Sequence, residues 1–384
     1  MCAWLALGWW LLGMAFHWLS VALALRDRAP APVRHEPADF SIVAPMKGAA
    51  DASPAYVEAL AALSRAGAEV LICVETEDDG AVAPLRTLWR AACDSELPLM
   101  IGSADTFNPK MNNVRKGLEA ARRPVVAMCD AGIALTHEAL AAAAAPLSER
   151  VGLVLALKAA IAPDGFAAEM ERAWLNGHQA RFLLTGDRLG MAVASGGVTL
   201  LANDTLQRIG NWQGFNRWIA DDYSVVRSVR EQGLDTILAN HLLPLPLGRR
   251  DWSTVWRRQV RWARTRLRLP VWPVVGLEPL VGALVTGTAG AFGLAGFGAG
   301  AVALSAFVVL HLAAWLVAEK LFLAGRGLAF GPRAALAALL REALAPALMV
   351  QALASRTIHW RGTDLGGRWR TMGIDAARRL GDRN

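Results

Sequence analysis

Between Ala3 and Leu25 the chain carries no Asp, Glu, Lys or Arg, and His17 is its one exception to an otherwise uncharged run. A helix of about 20 apolar residues crosses a hydrocarbon core of about 30 Å, so this run predicts a membrane anchor over residues 1–26. Arg26, Arg28 and Arg34 follow it directly. A cleaved secretory signal would place its positive charge before a shorter apolar core and end in a small-residue cleavage site. The reversed order predicts an uncleaved anchor, with the following residues on the cytoplasmic side by the positive-inside rule.

The rest of the hydrophobicity is uneven. Overall, 54% of the 384 residues are hydrophobic and 19% are charged, with a net charge of +7. Soluble domains average about 25% charged residues. A second apolar region, Val271 to Val317, is rich in glycine (Gly287, Gly290, Gly293, Gly296, Gly298, Gly300) and long enough for two membrane helices. Small residues at such spacing let helices approach closely in lipid. A third stretch, Ala334 to Leu353, carries Arg341 and Glu342 in its middle. Charges at membrane depth are costly unless paired or facing a polar cavity. This segment is therefore either re-entrant or interfacial, or a span whose charges face protein. Residues 271–384 are expected to form a C-terminal membrane region of two to three segments with a basic tail (Arg356, Trp360, Arg361, Arg368, Trp369, Arg370) suited to an anionic membrane surface.

Residues 33–270 have ordinary charge content and read as an α/β domain. Ser41–Ala44, Glu69–Val74 and Pro124–Cys129 are short apolar runs of strand character, and Pro54–Ala66 has helical apolar spacing. Continuous apolar strands alternating with helices predict a mostly parallel, Rossmann-like sheet covered on both faces. Ligands of such sheets bind beyond the carboxyl ends of the strands. Acids stand there: Glu75, Glu77, Asp78 and Asp79 after one strand, and Asp130 after another. Each alone could be a solvated turn residue. Together they could hold a nucleotide sugar, a metal, or both.

Three further segments carry chemistry. Asn108-Pro109-Lys110-Met111-Asn112-Asn113 offers a cation and amides for a phosphate or base edge, or simply turn caps. Asp221 and Asp222 precede Tyr223 at an expected helix start, where acids are also favoured by the helix dipole. Trp252, Trp256, Arg257, Arg258, Gln259, Arg261, Trp262, Arg264, Arg266 and Arg268 form a basic, Trp-bearing stretch. Arg257, Arg261, Arg264 and Arg268 share one helical face, with Trp252, Trp256, Val260, Ala263 and Leu267 tending toward another. Such a helix lies naturally in a membrane interface, and its arginines could also neutralise a leaving diphosphate.

The order Asp79, Asp130, Asp222, then Arg258-Gln259-Val260-Arg261-Trp262 resembles the D, D, D, (Q/R)xxRW pattern of membrane family-2-like glycosyltransferases. Further segments resemble the ceramide glucosyltransferase branch, family 21: Pro45-Met46-Lys47-Gly48, the Asn108–Asn113 segment, Cys129-Asp130-Ala131-Gly132-Ile133, Asp222-Tyr223, Leu269-Pro270, Glu278-Pro279, Arg341-Glu342 and Trp360-Arg361-Gly362. The resemblance covers nearly the whole chain. Asp221 stands where the branch has Glu, and Gly132 stands where a D-x-D metal motif has its second acid; D-x-G is usual in this branch.

The resemblance implies a GT-A fold and inverting transfer of a sugar, glucose first, from a UDP-sugar to the primary hydroxyl of ceramide or a related sphingolipid. It implies Asp222 as general base, Asp79 near the uridine, and Asp130 near the ribose or a Mg2+ or Mn2+ ion. Lys110, Asn112 and Asp221 join the expected substrate contacts. Arg258 and Arg261 are expected on the diphosphate, and Trp262 either walls the acceptor or sugar site or anchors its helix. His178 stands one residue out of register with a family histidine at the nucleotide. The expected setting is a bacterial inner membrane, with the α/β domain cytoplasmic.

Other readings keep the core and change the acceptor to a hopanoid, a diacylglycerol or a polyprenyl phosphate. A processive polymer synthase is disfavoured by the small number of membrane segments. Nucleic acid is not an expected partner, because the arginines alternate with Trp beside an apolar segment and lipid is simpler. A dinucleotide oxidoreductase is disfavoured because no G-x-G-x-x-G follows a strand.

Overall fold

A computed structural model describes residues 1–28, 34–355, 357–360 and 363–364. The basic-tail residues Arg356, Arg361, Gly362, Arg368, Trp369 and Arg370 lie outside the described residues. The chain divides into two compact units. A sheet unit takes residues 28–161 and 190–246, and a helical unit takes residues 1–27, 162–189 and 247–366. Residues 162–189 and 247–270, expected within one continuous α/β domain, thus group with the helical unit.

The sheet contains β1 (Phe40–Pro45), β2 (Glu69–Val74), β3 (Leu99–Ile101), β4 (Val125–Cys129), β5 (Val151–Asp164), β6 (Gly197–Ala202), β7 (Asp235–Leu238) and β8 (Leu243–Arg249). Its order is β3-β2-β1-β4-β6-β5-β7, with β8 also paired to β5. The β3-β2-β1-β4 half is parallel, and β6 runs antiparallel to both β4 and β5. Helices α2 (Pro54–Arg65), α3 (Val82–Ala92), α4 (Pro109–Ala120), α5 (His137–Ala144), α8 (Asn203–Arg208) and α9 (Asp221–Glu231) accompany it. β1 and β4 are almost wholly buried, which explains their unbroken apolar runs. Phe40, Ile42, Tyr56, Leu60, Ile72 and Trp89 are among the residues of one continuous core.

The antiparallel β6 has a functional consequence. Its first residues, Gly197 and Val198, lie beside Leu157 of β5 and Cys129 of β4. The start of β6 and the later part of β5 therefore share the edge at which β1, β2 and β4 end.

The helical unit contains α1 (Cys2–Leu25), α6 (Phe166–Arg172), α7 (Arg181–Arg188), α10 (Trp252–Arg266), α11 (Trp272–Leu277), α12 (Ala283–Gly296), α13 (Ala301–Gly325) and α14 (Pro332–Ala354), and a π-helical stretch, Ala173–Ala180, joins α6 to α7. α1, α13 and α14 are each long and apolar enough to cross a membrane. The region expected to give two full helices instead gives α13 and a bent pair: Pro273–Val281 and Ala283–Gly296 meet at 53°. Pro279 and Gly282 mark the break, where Glu342 accepts the freed backbone N–H of Ala283 at 2.9 Å. Alone, α12 has 14 residues, about 21 Å of helix against about 30 Å of hydrocarbon.

Glycines let α12 approach α1. A methyl group on Gly290, Gly293 or Gly296 would come within 2.9 Å of Trp10, 2.6 Å of Leu7 or 2.7 Å of Ala3. The charges of α14 face protein, which selects between the two readings left open above. Arg341 pairs with Glu319 of α13 at 2.8 Å and with Glu342 at 2.7 Å, and donates to the Ala173 carbonyl at 2.8 Å. The basic helix α10 is itself packed: Val255, Val260 and Ala263 join Ala337, Leu348 and Ala352 of α14 in one apolar cluster. Arg264 donates to the carbonyls of Gln351 and Thr357.

Candidate active site

The acids after β2 and β4 are built into the strand-end edge by local structure. Asp79 accepts from the backbone N–H of Gly48, at 2.7 Å, and of Ala81, at 2.8 Å, so it ties the Pro45–Gly48 turn to the loop after β2. Gly48 has φ +81, a conformation L side chains rarely adopt. Asp130 directly follows β4, and Gly132 two residues on has φ +86. That turn explains the D-x-G sequence: the position that would carry a second acid bends through left-handed space. Gly196 lies close by, and a Cβ there would stand 3.0 Å from Asp130 Oδ2.

α4 supplies the cation. Asn108 caps it by accepting from Lys110 N–H at 3.0 Å. The same Asn108 donates its amide to the carbonyl of Ile219 at 3.0 Å, just before α9. One side chain thus fixes the starts of α4 and α9 relative to each other. Lys110 Nζ then reaches Asp221 Oδ2 at 2.7 Å and Asp130 Oδ1 at 3.0 Å. Lys158 on β5 reaches Asp130 Oδ2 at 3.5 Å. Asp222, next to Asp221 at the start of α9, accepts from the backbone N–H of Tyr223 at 2.8 Å.

These neighbours push the carboxylates apart in acidity. Burial alone would raise Asp130, but the ammoniums of Lys110 and Lys158 outweigh it and hold the carboxyl well below the usual range. Burial alone would lower Lys110, but Asp130 and Asp221 outweigh it and keep the ammonium charged far up the pH scale. Asp222 moves the other way. Burial first, then the charge of Asp221, lift it to about 6. It is a stronger base than an ordinary carboxylate and is still ionised at pH 7.

The other expected site residues are placed as follows. Asn112 gives its side-chain oxygen to Thr106, 2.7 Å from the backbone N–H and 2.8 Å from the hydroxyl, and so pins the loop before α4. Arg258 on α10 pairs with Glu171, which is fully buried. The Arg261 guanidinium lies 6.0 Å from the ring of Trp262. Trp262 and His178 line a cavity of the helical unit. There His178 Nε2 sits 3.5 Å from Glu278, whose carboxylate also takes Arg266 at 2.7 Å.

Sequence reasoning missed Lys158, Asn108 as the brace between α4 and α9, and Glu171. A charge within the apolar run Leu155–Ala160 was the available signal for Lys158. The cation found between Asp130 and Asp221 is the Lys110 ammonium, and Lys158 holds the other Asp130 oxygen. No cluster of three His, Cys, Asp or Glu occurs among the described residues. Mg2+ at nucleotide sites is held by one or two carboxylates together with waters and substrate phosphates, and Asp130 is the strand-end carboxylate that would hold a Mg2+ or Mn2+ ion here.

Comparison with known proteins adds a second line. The family model described as Glycosyl transferase family 21 matches residues 5–372. Ceramide glucosyltransferase 1 of Caenorhabditis elegans is 26% identical over 314 residues, 79% of this chain and 67% of that protein. Ceramide glucosyltransferase 3 of the same organism is 24% identical over 301 residues, 76% and 65% respectively. The chain thus spans about two thirds of the length of these relatives. A solved mannosyltransferase from Pyrobaculum calidifontis, in complex with GDP-Man and Mn2+, is similar at TM-score 0.48 and 16% identity, over 89% of this chain and 99% of that one.

Proposed function

Because this chain belongs to glycosyl transferase family 21, and is therefore a glycosyltransferase, we propose that it moves a sugar, glucose first, from a UDP-sugar to the primary hydroxyl of ceramide or a related sphingolipid. The observation that carries the mechanism is Asp222, a half-buried carboxylate raised to about 6 beside an acid pair bridged by Lys110.

Asp222 takes the proton of the acceptor hydroxyl. The hydroxyl oxygen forms its bond to the anomeric carbon from the face opposite the diphosphate. The bond from that carbon to the diphosphate oxygen breaks, UDP leaves with the electron pair, and the configuration inverts. Asp79 and Asp130 face the nucleoside side of the donor in this reading. Lys110 and Lys158 hold Asp130 and Asp221 in their ionised, oriented state. Arg258 and Arg261 are assigned the charge that develops on UDP, for which the planar guanidinium is suited. Asp130 would hold a Mg2+ or Mn2+ ion, which would supply positive charge against the leaving diphosphate. The membrane-facing helices would hold the enzyme where a headgroup hydroxyl is presented, with the sheet unit on the cytoplasmic side of a bacterial inner membrane.

The test is Asp222→Asn in the full chain, assayed for UDP release and for glycolipid by mass spectrometry. Transfer should fall about 10²- to 10⁴-fold, the usual contribution of a positioned base, with the protein still folded. Full activity removes the assignment. Sugar appearing only on a hopanoid, a diacylglycerol or a polyprenyl phosphate replaces the acceptor and leaves the mechanism standing.

A further inference from the structure

Three buried hydrogen-bond donors that line one cavity of the helical unit have no partner among the described residues: Arg181 Nε, Gln259 Nε2 and Trp315 Nε1. Their residues are 2%, 7% and 2% exposed, so water does not serve them from bulk. They come from three different elements, α7, α10 and α13, and all three residues line the same cavity. Their other contacts fix them in place. Arg181 Nη1 meets His17 Nδ1 and lies 3.2 Å from Ser20 Oγ, and the Trp315 ring stacks on His17 at 3.7 Å. A donor left unmade in a buried site is costly and calls for an explanation.

The rest of the lining limits what could satisfy them. Trp174, Phe182, Leu284, Val285, Leu348 and Met349 give apolar walls suited to alkyl chains. Charge is balanced around the cavity: Arg181, Arg266 and Arg341 of the lining stand against Glu278 and Glu342 of the lining and Glu319, which pairs with Arg341, so no surplus positive charge favours an anion such as a lipid phosphate. The remaining chemistry is a neutral oxygen acceptor attached to hydrocarbon. An acyl carbonyl beside its chain is that group: its two lone pairs serve two of the donors, and the neighbouring ester or hydroxyl oxygen of the same linkage serves the third.

We propose that this cavity seats the acyl-linkage carbonyl of the acceptor lipid, with Gln259, Arg181 and Trp315 as the donors that recognise it. That the occupant is the acceptor rests on the reading above; that it is an acyl carbonyl rests on the cavity. These residues select lipids that carry an amide or ester next to the headgroup over lipids with a bare hydrocarbon stem. Bulk phospholipid offers the same carbonyl, and the experiment separates the two sources.

The full chain in nanodiscs is photolabelled with an N-acyl amino diol carrying a diazirine near its amide. The expected adducts fall on Trp174, Leu348 or Met349, and adducts confined elsewhere overturn the site. Unlabelled diacylglycerol should compete at least about tenfold better than its dialkyl ether counterpart, the difference one well-made hydrogen bond supplies. Equal competition overturns the carbonyl assignment without needing any variant. Bulk diacyl phospholipid competing as well as the unlabelled amino diol overturns the link to the acceptor. Gln259→Leu should weaken labelling about tenfold while UDP affinity is unchanged. Labelling equal to that of the parent protein counts against Gln259 as a donor. Binding is read separately from sugar transfer, so a chain that labels as expected but glycosylates no lipid defeats the proposed function and leaves this one standing.

Discussion

Asp222, the proposed base, and Lys110, which bridges Asp130 and Asp221, each make a prediction of their own. Asp222 acts as a base only when ionised, so transfer should rise as pH passes through about 6 and level off above it. A rate profile from pH 5 to 8 checks this, and a flat profile counts against Asp222. The same shift acts on folding with a definite sign. A carboxyl raised from its usual 3.8 to about 6 binds its proton more tightly in the folded chain. The stability this confers is complete below about pH 4 and is lost as pH rises through 6. Asp222→Asn should therefore melt higher than the parent at pH 8 and alongside it at pH 4. Lys110→Met removes the cation between Asp130 and Asp221. Breaking this half-buried charge pair from one side should cost about 1–2 kcal/mol, and donor binding should weaken with it. Thermal melts and UDP titration check the pair of effects. Asp130 and Asp222 were legible from strand ends and motif order. Lys158 was not, because its partner is brought to it only by the antiparallel β6, and neighbouring strands are not written in the local sequence.

Among the elements, β1, β2 and β4 were the most readable, while the other five strands of the sheet were not anticipated. The β-branched runs of those three end at Pro45, before Glu75 and at Asp130, and the observed bounds differ from the expected ones by a residue or two. The membrane region was less so. Val271 to Val317 reads as one apolar run, although Glu278-Pro279 and Gly282 within it were an available signal for a break. The break is made by Pro279 and stabilised by Glu342, which comes from a helix sixty residues later. For the same reason the depth of Arg341 could not be read from α14 alone, since its answer is Glu319 on α13. Glu319→Gln should leave Arg341 a buried charge with a weakened partner and cost about 3 kcal/mol. Detergent-resistance melts report it, and a neutral result would mean the pair is replaceable. Gly293→Leu should be worse for assembly than the same change at Gly8, because the first meets Leu7 at 2.6 Å and the second meets nothing within 4 Å.

At the scale of the whole molecule the two units are not consecutive pieces of sequence. The chain passes between them after residues 27, 161, 189 and 246. A chain cut back to residues 28–270 should therefore not behave as a soluble catalytic domain. It would keep α6 and α10 while losing α14, whose Ala337, Leu348 and Ala352 complete their apolar cluster. Light scattering after expression without detergent checks this, and a monodisperse, UDP-binding fragment would refute it.

Those four passages also constrain how such a protein can be recombined. A single crossover between two family members would mix both units at once, because neither unit is confined to one side of any cut. Exchanging the lipid-facing unit alone takes four coordinated splices. Acceptor preference in this architecture should therefore change by point substitution within an intact parent more readily than by shuffling halves.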